Sequence, residues 1–273
     1  MNKYLHLLEK ALAKQNELLL DERWKNELLK LAPPVLWFGD MNNVKDKVVT
    51  IGANPSRSEF LNENNSTTNN KSIEELRYLE KDKKRFYVLE QDESLNNLTV
   101  STLEKILESY NCYFTKKPYR KWFGKINGGK VEGLVNGFDA SFYNSGTYQA
   151  IHLDLFPFAT INNYKKIEKL VDESIFQNGW AQSFLGDLIE NVSPRIIIVF
   201  GISNYTVFKS MYQNDITRMH EGVFNSDNKQ TSYSINDFKG KRLIALNQNF
   251  GNTNFSKEEL LMLGKEIQNH IVS

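Results

Sequence analysis

Four short runs of aliphatic and β-branched residues stand out along the chain: Lys47–Ile51, Ala150–Phe158, Arg195–Phe200 and Lys241–Leu246. They are apolar almost throughout rather than alternating, as strands buried on both faces of a parallel sheet are. Turn-forming residues close the first, Gly52-Ala53-Asn54-Pro55-Ser56, and Gly201 closes the third. The last opens into the Asn-rich stretch 247–254. Between the runs, apolar residues return at helical spacing. Leu7, Leu8, Ala11, Leu18, Leu19, Leu28, Leu29 and Leu31 predict helix over 3–32, as one piece or two with a break near Asn16 or Asp21, before Pro33 and Pro34 stop it. Further helices are expected over Ile73–Lys84, Val100–Tyr110 and 164–192, and a closing one begins at the capping box Ser256–Glu259.

Apolar strands separated by helices predict an α/β fold, a three-layer sandwich with a mostly parallel central sheet flanked by helices. Residues 1–34 read as an N-terminal helical appendage and 35–273 as one α/β domain, with an inserted loop and helical segment around 57–149. Within that insertion residues 62–72 carry no apolar side chain and read as a surface loop.

Composition narrows the picture only a little. A net charge of +1 gives no overall field to attract nucleic acid, so any such contact must use a local patch. The stretch 116–130 is the candidate: Lys116, Lys117, Arg120, Lys121, Lys125 and Lys130, with no acid among them, interleaved with Tyr119, Trp122 and Phe123. Cys112 is the single cysteine, which excludes an internal disulfide and suits a reducing compartment. With no secretory signal and no membrane-length apolar run, the chain reads as cytoplasmic. Four histidines, at 6, 152, 220 and 270, show no ligand spacing, and there is no Walker loop or Gly-x-Gly-x-x-Gly. No metal and no cofactor are expected.

Three strand-end segments together resemble the motifs of the uracil-DNA glycosylase superfamily. Ile51-Gly52-Ala53-Asn54-Pro55-Ser56 is similar to its first motif, a strand ending in Gly-x-Asp/Asn-Pro, in the variant of the mismatch-specific branch. Ile151-His152-Leu153-Asp154-Leu155 stands for the middle motif, where relatives use Asn to read the base edge. Leu246-Asn247-Gln248-Asn249-Phe250-Gly251-Asn252 stands for the last, without its usual His and Pro. The resemblance spans roughly residues 35–270 in element order. It implies a DNA glycosylase that hydrolyses the base–deoxyribose bond of a flipped nucleotide. By analogy with members that act on modified phage bases, it also implies a defence role.

The reaction needs an oriented water, donors for the departing base and a pocket for the flipped nucleotide. Asn54 is assigned to the water, held through its side-chain oxygen, with Asn247 and Asn249 as amide donors to the base. Gly52, Ala53, His152 and Asp154 form the base site. Ser56, Lys117, Arg120, Lys121, Phe250 and Asn252 are assigned to DNA, with Phe250 as a wedge. Phe60, Phe86 and Tyr87 are candidates for the ring that sandwiches the base, and Trp122 or Tyr119 for another stacking contact. Asp154 decides the substrate: a carboxylate accepts from cytosine's exocyclic amine and repels the 4-oxo group of uracil or thymine. A cytosine-type or modified base is therefore expected. Each residue also has a plainer reading: Asn54-Pro55 as a turn, Asp154 as the cap of a helix near Asn162 or the partner of a Lys, His152 as a core histidine, 116–130 as a solvated loop. The rival functions are a nucleic-acid-binding module without chemistry, a conventional uracil or mismatch repair enzyme, and an α/β hydrolase of free nucleosides or nucleotides. DNA is the expected partner, and protein partners are unknown.

Overall fold

The computed structural model describes residues 3–62, 77–80, 82–90, 93–116, 118–126, 129–226, 229–248 and 253–272. The chain divides into two compact units, one of residues 1–38, 53–117 and 156–188, the other of 39–52, 118–155 and 189–273. That division does not fall at residue 34.

The second unit holds a seven-stranded sheet. Its strands are β1 (Lys47–Gly52), β2 (Ala140–Ser141), β3 (Tyr148–Asp154), β4 (Ile196–Phe200), β5 (Ile216–Ser226), β6 (Lys229–Phe238) and β7 (Lys241–Leu246). In space they run β2-β3-β1-β4-β7-β6-β5. The first five in that order are parallel, and β6 and β5 continue the sheet antiparallel. The four apolar runs of the sequence thus form four adjacent parallel strands, and β1 and β4 are buried at every position. The expected α/β class, with a mostly parallel sheet, holds. β3 lies on one side of β1 and β4 on the other, so the chain reverses direction across the sheet at β1. Open α/β sheets bind ligands at such a reversal, beyond the carboxyl ends of the strands.

Within this unit the helices are α3 (Arg120–Phe123), α4 (Lys130–Asn136), α7 (Ile202–Tyr212) and α8 (Lys257–Val272). The capping box forms as expected: Glu259 N–H donates to Ser256 Oγ at 3.1 Å and Ser256 N–H to the Glu259 carboxylate. That carboxylate also takes Lys229 Nζ at 2.8 Å and Ser226 Oγ at 2.9 Å, fastening the tip of the β5–β6 hairpin to α8. Lys229 first, then the Ser256 N–H, draws its pKa down to about 2. α4 and α8 cross at two glycines, where a Cβ on Gly137 would lie 2.6 Å from Gly264 Cα.

The first unit contains α1 (Leu5–Leu20), α2 (Val100–Asn111) and α5 (Tyr164–Val171). α1 ends at Asp21, whose backbone is extended, so the expected break falls there. Residues 22–32 form turns instead of a second helix. Local turn bonds such as Leu28 N–H to Trp24 O and Ala32 N–H to Leu29 O hold this stretch, while Leu29 N–H donates to Ala159 O and Val35 N–H to Pro157 O, so its backbone is satisfied partly by another segment. The helix expected over Ile73–Lys84 is also absent from its described part, where Leu61 and Tyr78 form a β-bridge. The single helix expected over 164–192 is interrupted. α5 passes through a π turn at Asp172–Phe176, and α6 (Trp180–Val192) starts afresh after Asn178 Oδ1 accepts from Trp180 N–H at 2.9 Å. Phe60 and Phe86 stack at 5.6 Å, and Phe86 stacks on Tyr113 at 4.8 Å. Phe60 and Phe86 are buried core rings, which removes them as platforms for a base. Tyr87 is half-buried and donates to Glu93.

Candidate active site

β1 and β3 pair in register, Thr50 opposite His152 and Gly52 opposite Asp154. Side chains two apart on a strand share a face, so these four positions project together near the carboxyl ends of the two strands. Thr50 Oγ lies 2.8 Å from His152 Nδ1, and His152 Nε2 lies 3.3 Å from Asp154 Oδ1. With the ring proton on Nε2, toward the carboxylate, Nδ1 is the acceptor that faces the Thr50 hydroxyl, which also lies 3.4 Å from Ile151 O. The Phe123 ring meets the imidazole edge to face at 5.2 Å, and Phe142 packs on Phe123 at 5.3 Å. The group is secluded from bulk solvent: Thr50 is fully buried, His152 3% exposed and Asp154 6% exposed. Asp154 Oδ2 is buried and has no hydrogen-bond partner among the described residues.

Gly52 makes this arrangement possible. A Cβ there would sit 2.7 Å from Asp154 Oδ1 and 3.0 Å from His152 Cε1 and Nε2. Neither neighbour can retreat easily, because Thr50 and Phe123 hold the imidazole and the carboxylate is short and buried. Gly52→Ala is therefore expected to lower the unfolding free energy by about 1–3 kcal/mol, as overpacking does, and to displace the carboxylate. A thermal melt indistinguishable from wild type would show that the group is looser than described.

No family model, curated protein or solved structure matches this chain.

A buried acid holds the wall of the group in place. Glu132, on α4, is fully buried and accepts from Ser141 Oγ at 2.6 Å, Asn136 Nδ2 at 2.9 Å and Phe142 N–H at 3.0 Å. Burial raises its pKa above the ordinary carboxylate value. It fixes the start of the loop that carries Phe142, and through that ring Phe123 and His152. Neither Glu132 nor Thr50 stands out in the amino-acid sequence. The two-residue spacing that joins His152 to Asp154 also joins Thr50 to Gly52, but only the register of β1 against β3 brings Thr50 to the imidazole.

Of the basic stretch, Lys117 lies outside the described residues. Arg120, Lys121 and Lys125 are exposed, while Phe123 is buried. Trp122 is half-buried, its ring 6.3 Å from that of Phe200, the last residue of β4. Asn247 is exposed just beyond β7 and lines a cleft of about 420 Å³ with Ile202, Tyr205 and Tyr233. Three strand spacings, about 14 Å, separate β3 from β7, so Asn247 does not join Asp154. Asn249, Phe250 and Asn252 lie outside the described residues.

In the first unit, Asn54 follows two residues after the end of β1 in the chain. Its Nδ2 donates to Thr160 Oγ at 3.2 Å, Pro55 O at 3.3 Å and Phe158 O at 3.4 Å. Carbonyl oxygens only accept, so these contacts fix which side of the amide is nitrogen. Oδ1 is left as an acceptor with no partner among the described residues. Ala53 O accepts from Phe156 N–H at 2.9 Å, and Ser56 Oγ accepts from Ser58 N–H at 3.2 Å. The helix near Asn162 is capped by Asn163, whose side chain accepts from Lys166 N–H, so Asp154 is not its cap. Among the described residues there is no cluster of three or more His, Cys, Asp or Glu suited to a metal, and no helix long and apolar enough to cross a membrane.

Proposed function

We propose that this chain is a DNA glycosylase that removes a cytosine-type base, plain or modified, from a flipped nucleotide. The observation that carries the reading is Asp154, a buried carboxylate at the carboxyl end of β3 with one oxygen unpartnered among the described residues. A buried acceptor without a donor destabilises the fold by about 1–3 kcal/mol. A site that keeps such a group is built for a ligand that donates. Cytosine presents an exocyclic amine beside a ring nitrogen, and a carboxylate that accepts from the amine also favours a proton on that nitrogen. A protonated base leaves more readily. Water then adds hydroxide to the sugar carbon, its proton is released, and the base departs with the bonding electrons. Asn54, which the resemblance assigns to the water, has within its own unit an oriented Oδ1 able to accept from a water molecule. An amide cannot take the proton, so catalysis rests on leaving-group activation and on holding the water.

Oligonucleotides carrying cytosine, cytosine derivatives or uracil, treated with the purified chain and then alkali, test the reading. Abasic-site cleavage on a cytosine-type strand is expected, with the free base identified by mass spectrometry. Binding without cleavage on every strand would reduce the protein to a nucleic-acid-binding module, and turnover of free nucleosides alone would make it a nucleosidase.

A further inference from the structure

A second cavity, of about 260 Å³, opens in the first unit, lined by Asn54, Pro55, Ser56, Arg57, Thr160, Asn162, Asn163, Tyr164 and Lys166. Among the described residues its lining holds two cations and no carboxylate. Arg57 Nη1 donates to Ile161 O at 3.1 Å, in the turn that leads into α5. Lys166 is exposed, and its ammonium pairs with no carboxylate among the described residues. Glu27 accepts from Asn162 Nδ2 at 3.0 Å but is not part of the lining. Thr160 and Asn162 are joined, Thr160 Oγ donating to Asn162 O at 2.7 Å, which stiffens the wall. The first turn of α5 completes it, where the helix dipole adds to the positive character. The volume falls below the roughly 300–1,000 Å³ of pockets that enclose a whole small molecule.

We propose that this cavity binds a phosphate group, with Arg57 and Lys166 as its charged ligands. The assignment of that phosphate to a nucleic-acid strand rests on the glycosylase reading. Arg57 offers a planar fork of donors matched to phosphate oxygens, and Lys166 adds a mobile point charge. A strand phosphate seated here is held beside Asn54, which belongs to the same lining.

The test reads binding and no base release, so a failure of the glycosylase chemistry leaves it interpretable. Fluorescence anisotropy with labelled oligothymidylate, which contains neither cytosine nor uracil, is measured against sodium chloride for the wild type, Arg57→Gln and Lys166→Gln. Each variant is expected to weaken binding several-fold and to flatten the plot of log Kd against log salt by about 0.7, the share of one phosphate contact on a single strand. Inorganic phosphate should displace the oligonucleotide from the wild type and bind both variants more weakly. Lys166→Gln keeps the test readable if Arg57→Gln disturbs the turn at Ile161. Loss of phosphate binding with an unchanged oligonucleotide slope would overturn the strand assignment and leave a pocket for free phosphate. Unchanged binding of both probes would overturn the site.

Discussion

Replacing Asp154 by Asn is expected to raise the melting temperature while reducing action on cytosine-type bases by two orders of magnitude or more. The two effects share one cause. The wild-type carboxylate is buried with Oδ2 unpartnered among the described residues, and an amide of the same shape removes a charge that the interior solvates poorly. A gain of about 1 kcal/mol corresponds to roughly 2–4 °C in a chain of this size. Activity moves the other way, because the amide no longer favours a proton on the neighbouring ring nitrogen. It can also turn its NH₂ toward a carbonyl, so preference shifts toward uracil. Calorimetry and single-turnover cleavage on matched cytosine-type and uracil strands measure both arms. Robust uracil excision by the wild type at neutral pH would end this account of Asp154. A melting temperature that falls in Asp154→Asn would show instead that the carboxylate is structurally compensated.

Asn54→Ala is expected to slow single-turnover cleavage by about two to three orders of magnitude, the range for losing one preorganised polar contact in a transition state, with oligonucleotide affinity little changed. The Nδ2 contacts to Thr160, Pro55 and Phe158 are what aim Oδ1, so the orientation is set before substrate arrives. Asn54→Asp offers a second arm. It keeps an acceptor, adds a group able to take a proton, and places an oxygen against two carbonyls that only accept. Partial activity rising with pH is expected, at the expense of thermal stability. Cleavage by Asn54→Ala at the wild-type rate would remove the residue from the reaction.

The central sheet was legible because β1, β3, β4 and β7 each carry an apolar run over most of their length, and burial on both faces leaves that mark on a sequence. β5 and β6 were not seen. Of the eleven residues of β5 only Phe224 is buried, so an exposed edge strand carries little hydropathic signal. β6 alternates, with Thr231, Tyr233 and Ile235 inward, but its Ser, Asn and Asp residues read as loop. The helix expected at Ile73–Lys84 gave way, in its described part, to pairing of Leu79 N–H with Phe60 O, a contact that local periodicity cannot encode. At the site, His152 and Asp154 were found because they lie on one strand. Thr50 reaches His152 only through the register of β1 against β3, and Lys166 joins Arg57 only through the fold, so neither was visible in the order of residues.

The crossing of α4 and α8 at Gly137 and Gly264 has a consequence for how the protein is made. A helix end that packs against bare backbone has no side chain of its own to fill the gap, so α4 is left with an open groove until α8 is present. Synthesis proceeds from the amino end, and Gly264 leaves the ribosome long after Leu134 and Gly137. Throughout that interval Glu132 sits on a helix without its packing partner, and the wall carrying Phe142 and Phe123 lacks its outer support. The unit that shapes the Asp154 group is thus completed only once α8 has been translated, and nascent chains halted before α8 are expected to expose it to aggregation and to proteases.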